Sequence, residues 1–67
     1  MSKPAGSEIK IGESVIITIK NGGMVDTKII GRVAGIRFWS ENELAFEIEG
    51  ITAEWFVIND KRKIEVI

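Results

Sequence analysis

Asn21-Gly22-Gly23 stands between two runs rich in β-branched residues, and this juncture constrains the fold more than any other stretch of the chain. An Asn-Gly step between apolar segments is the strongest short-range hairpin signal, because the tightest hairpin turns need the positive φ that these residues tolerate. The reading predicts a type I′ turn, or a close relative, at Asn21-Gly22 with positive φ at Gly22. In the strand before it, Val15, Ile17 and Ile19 share one face, and Ile16, Thr18 and Lys20 share the other.

The strand after the turn reads from about Met24 to Phe38, which is long for a small domain. Gly31 and Gly35 interrupt it, and glycine inside a strand marks a bulge or a sharp bend. A bulge near Ala34-Gly35 would turn Ile29, Gly31, Val33, Ile36 and Phe38 inward. Trp39-Ser40-Glu41-Asn42 supplies the next turn. Glu43–Glu49 then alternates most cleanly, with Leu44, Phe46 and Ile48 inward and the glutamates towards water. Gly50 permits a reversal into Ile51–Ile58, Asn59-Asp60 punctuates, and Ile64 and Val66 return to the core in a closing strand, Lys63–Ile67. The expected fold is all-β: a five-stranded, strongly bent antiparallel small barrel over residues 9–67, with no substantial helix. Residues 1–8, holding Pro4 and Gly6, read as a flexible tail.

Composition narrows the function classes. A chain of 67 residues makes one domain, near the lower size at which a single core suffices. It has no cysteine, so disulfides and thiolate metal sites are out, and an intracellular, cytoplasmic setting is expected for so small an unstapled domain. It has no histidine, which removes the usual zinc ligand and the usual general base. No apolar run approaches a membrane span. The expectation is a protein that binds and does not catalyse, with no cofactor, no metal and no membrane partner.

The strand pattern is similar to Sm-like and SH3-like small barrels. Lys20-Asn21-Gly22 followed by Gly31-Arg-Val-Ala-Gly-Ile36 resembles the first half of an Sm-type motif, a polar-Gly turn before a strand of the form Gly-x-apolar. The resemblance implies a fold and stops short of the RNA site. Arg37 stands where that family places an aspartate, Asn42 is displaced by about one position from its asparagine, and Ile58-Asn59-Asp60 replaces its Arg-Gly step. Sm-like barrels assemble by pairing edge strands, so the resemblance also implies a possible homo-oligomer, expected here through Phe56 or Ile58 and the C-terminal strand.

Charge is uneven although the net is only −1. Residues 14–39 hold Lys20, Lys28, Arg32 and Arg37 against Asp26, whereas residues 40–54 hold Glu41, Glu43, Glu47, Glu49 and Glu54 with no cation. Cross-strand pairing of the two segments is one explanation; a dipolar surface for a charged partner is the other. Two function classes follow. One is a protein-interaction or regulatory module docking through Trp39, Trp55, Phe56 and Ile58, since Trp is the residue most enriched at binding hot spots. The other is a nucleic-acid-binding barrel using Lys20, Lys28, Arg32, Arg37, Lys61, Arg62 and Lys63, with weak, salt-dependent binding because the phosphate contacts are few.

Overall fold

The computed structural model describes residues 3–67, apart from the side chains of Thr52 and Ala53. Five strands follow one another: β1 Ser14–Asn21, β2 Met24–Ser40, β3 Glu43–Ile48, β4 Ile51–Val57 and β5 Arg62–Val66. They form one antiparallel sheet in the order β4-β3-β2-β1-β5. The all-β expectation holds. Closure into a barrel does not follow from the ladders, which leave β4 and β5 as edges; a single bridge, Asn59 to Arg62, lies in the turn between them. No helix of the described residues is long and apolar enough to cross a membrane.

The first hairpin forms as expected, with its turn one residue later. Asn21 still pairs with Met24, so Gly22 and Gly23 are the central residues, with φ of 51° and 93°. Both angles are positive, as a type I′ turn requires. Asn21 ends β1, and its side-chain amide donates to the Val25 carbonyl and to Thr27 Oγ1, both at 2.9 Å.

The 17-residue β2 serves both halves of the sheet. Its first half pairs with β1, its second with β3, and the register shifts between Val33 and Gly35. The bulge predicted at Ala34-Gly35 is therefore present, and it bends the sheet over its own core. Gly31 lies at the crease, where any Cβ would collide with Ile48 Cγ2. Val15, Ile17, Val33, Leu44, Phe46 and Ile48 fill the space inside the bend. All three inward residues expected for β3 are in that core. Phe38 is not: it pairs with Leu44 on the inward side, but β2 runs past the end of the core and leaves it 77% exposed.

The segment expected as a tail is folded from Pro4 onward. Ser7 N–H donates to the Pro4 carbonyl and Ile9 N–H to that of Gly6. Gly6 is buried at positive φ, so close to the core that a Cβ there would lie 2.9 Å from Phe46 Cζ. Ile9 is buried with it. Residues 4–9 thus plug the open side of the bent sheet.

Candidate functional site

β4 decides which aromatic groups remain available. Ile51 pairs with Ile48, Phe56 pairs with Phe46, and both pack into the core. Strict alternation would put residues 51 and 56 on opposite faces, so the register must shift between them, as it does. Phe56 and Ile58 are consequently 3% and 2% exposed. Neither can dock a partner, and neither can carry the expected contact between subunits. They are core residues, because the shift turns the even-numbered end of β4 inward.

Trp55 takes the outer side of the same strand, half-buried. Its ring reaches across β3 towards β2, where a Cβ on Gly35 would be 3.2 Å from Trp55 Cη2. Arg37 lies over the ring. Between them Ala45, paired with Arg37 on one side and Val57 on the other, has no exposed surface at all. Trp55, Arg37 and Val57 thus form a small second layer on the outside of the sheet. Trp55 and Arg37 come from different candidate sets, and the structure joins them in a packing role.

Trp39 is the remaining docking candidate and is 54% exposed. It belongs to β2 and not to the turn, which is Glu41-Asn42 between the paired Ser40 and Glu43. The register shifts again between Phe38 and Ser40, leaving Trp39 as the bulged residue, and bulges re-aim side chains. Beside it, Phe38 borders a shallow groove of about 260 Å³ whose other walls are Pro4, Ser7, Ile36, Arg37 and Leu44. Phe38 escaped the expected docking set because its alternation marked it as core. The missing signal was the length of β2 relative to the core, which no local pattern carries.

The seven basic candidates divide among three places. Lys28 and Lys63 flank Thr18 in one row across three strands, and Arg32 pairs with Ser14 four residues along. All three share the outer face of the β2-β1-β5 half, since Val15 and Ile17 point the other way into the core. Lys20 extends this face but is paired with Asp26 at 3.5 Å. Lys61 adjoins it through the Lys20 N–H to Lys61 carbonyl bond, and Ile30 lies exposed among the cations. Arg37 sits on Trp55 in the other half, and Arg62 pairs with Ile19 on the inward side.

Cross-strand neutralisation of the basic by the acidic segment does not occur. The register sets Glu47 opposite Gly35, Arg37 opposite Ala45 and Glu43 opposite Ser40, whose hydroxyl donates to Glu43 Oε1 at 2.9 Å. Among the described residues the ion pair formed is Lys20–Asp26, inside the first hairpin. The two charged regions stay separate.

A second groove, of about 580 Å³, opens between β5 and the end of the β2–β3 hairpin. Its walls include Ser40, Asn42, Glu43, Asp60, Lys63 and Glu65, with Ala5, Ile58 and Ile64 behind. Among the described residues no three Asp or Glu side chains converge closely enough to hold an ion together. Comparison of the chain with known proteins finds no matching family model, no similar curated protein and no similar solved structure.

Proposed function

We propose that this chain is a non-enzymatic interaction module, a small barrel of Sm-like or SH3-like kind, that docks a protein partner where β2 ends. The observation that carries the reading is the exposed pair Phe38 and Trp39 beside an apolar groove. Two large neighbouring aromatic groups left outside the core cost solubility and recover free energy only when covered. Trp at the centre of an interface typically contributes about 2 kcal/mol or more. A cytoplasmic setting belongs to the same reading and rests on the absence of cysteine.

Selection from a displayed random-peptide library, with wild-type protein as bait and a Phe38→Ser/Trp39→Ser variant as counter-screen, tests it. Both side chains are largely exposed, so the variant should remain folded. Ligands that bind the wild type should lose at least about thirtyfold in affinity on the variant. Ligands that bind both proteins equally would refute the reading.

A second reading has its own support. The Lys28–Thr18–Lys63 row with Arg32 presents several cations on one face, the footprint an anionic polymer needs. Nucleic-acid binding by this face would be weak and steeply salt-dependent. Titration of single- and double-stranded oligonucleotides at low and physiological salt separates the readings: sequence-specific binding tighter than about micromolar at physiological salt would favour nucleic acid.

A further inference from the structure

We infer that the outer face of the β2-β1-β5 half-sheet seats an acidic amphipathic helix of a partner protein, its apolar stripe on Ile16 and Ile30 and its acids on Lys28 and Lys63. Two adjacent rows make the face. Ile16 pairs with Ile30 on one side and Glu65 on the other; two residues along β1, Thr18 pairs with Lys28 and Lys63. Ile30 is 68% exposed and Ile16 beside it half-buried, so the first row presents apolar surface within a charged face. Ile67 is 69% exposed, and its N–H donates to the Ser14 carbonyl, which continues the β5 ladder. By alternation it shares the side of Lys63 and Glu65 and extends the apolar surface. Apolar surface rimmed by polar groups marks an interaction site.

The charge of the occupant follows from which cations are left over. Lys20 is taken by Asp26, whereas Lys28, Lys61 and Lys63 form no ion pair among the described residues. Arg32 has Glu49 next to it across the crease, the Glu49 N–H donating to the Arg32 carbonyl. The excess positive charge therefore lies on the lysine side of the face. Glu65 ends the isoleucine row and confines a partner's acids to the lysine flank.

The backbone of the face selects a helix. β1 is paired along both sides, so its middle offers no N–H or C=O to an added strand. An extended segment laid over it would desolvate its own polar groups without return, and a helix brings them already paired. The two rows lie about 7 Å apart, so one helix about 10 Å across covers both. Lys28 and Lys63 are two strand spacings apart, about 10 Å. That is the rise over about seven helical residues. Acids at i and i+7 beside an apolar stripe thus meet both lysines.

Nucleic acid would use the cations and waste the isoleucines. Phosphates gain nothing over Ile16 and Ile30, and no aromatic residue lies in β1, β5 or the first half of β2 to stack a base.

The test uses three capped designed peptides and the full labelled chain. One is a helix with a leucine stripe flanked by glutamates; the second has lysine for each glutamate; the third has the first one's composition shuffled to remove the stripe. At low salt the first should bind at least about tenfold tighter than either of the others. It should gain helical circular dichroism on binding and shift the amides of Ile16, Thr18, Lys28, Ile30 and Lys63. Ile30→Thr keeps a β-branched side chain at an exposed position and should weaken binding at least about fivefold. Lys28→Glu with Lys63→Glu should reverse the preference to the lysine peptide, and Phe38→Ser with Trp39→Ser should change nothing. No binding at up to about 1 mM would overturn the inference. Equal binding of the striped and shuffled peptides would do the same, since charge alone would then suffice. An oligonucleotide that shifts these amides and displaces the striped peptide at lower concentration would overturn it in favour of nucleic acid.

Discussion

Arg37 covers the indole of Trp55, its guanidinium carbon 5.2 Å from the ring centroid. The contact joins the second strand to the fourth across a third, and it shields Ala45 beneath. Such cation–π pairs contribute about 0.5–1 kcal/mol at partly exposed sites. Arg37→Ala should therefore destabilise by about that amount. The loss should largely vanish when Trp55 is already leucine. Strictly additive losses in that double-mutant cycle, followed by denaturant unfolding, would mean the two side chains do not interact.

Gly31→Ala should cost about 1–3 kcal/mol, because the added methyl meets Ile48 inside the bend and overpacks it. Gly35→Ala should cost about 1 kcal/mol or less, since its neighbours are the ends of the Trp55 and Glu47 side chains, which can shift. In an Ile48→Ala background the Gly31 penalty should fall. Equal costs for the two glycines in chemical unfolding would contradict the placement of the crease.

Phe46 is fully buried, the middle inward residue of β3, and a Cβ on Gly6 would lie 2.9 Å from its Cζ. Phe46→Ala should cost about 3–5 kcal/mol, enough to leave so small a domain largely unfolded. A loss below about 1 kcal/mol in denaturant melts would place Phe46 outside the core.

The first turn should be sensitive at both glycines. Gly22 and Gly23 both have positive φ with open space around the missing Cβ, so a substitution there is opposed by backbone conformation alone. Gly23→Val should destabilise by about 1–3 kcal/mol. Lys20→Ala removes an exposed ion pair worth at most about 1 kcal/mol. Gly22→Asn should be nearly neutral, because asparagine tolerates this region. Comparable losses for Gly23→Val and Lys20→Ala would show a loose loop in place of a tight turn.

Most of the strand plan was legible because it is written locally. Asn21-Gly22-Gly23 announces the hairpin, alternation at Leu44, Phe46 and Ile48 announces an inward face, and Gly35 announces the bulge. The faces of β4 were not legible. Ile51, Trp55, Phe56, Val57 and Ile58 are all apolar, and only the register shift against β3 decides that Phe56 and Ile58 go in while Trp55 stays out. The plug was hidden for a similar reason. Pro4 and Gly6 look like a loose tail by composition, yet Gly6 is buried where a Cβ would meet Phe46 and Ile64, which are distant in sequence. Phe38 shows the converse: its alternation is inward, yet the core ends before it.

Amide chemical-shift mapping of a library-selected ligand on the labelled chain tests the docking proposal most directly. The account predicts the largest shifts at Ile36, Arg37, Phe38, Trp39 and Ser40 and across the groove at Ser7, and their loss in the Trp39→Ser variant. Shifts centred instead on Lys28, Ile30, Arg32 and Lys63 would contradict it.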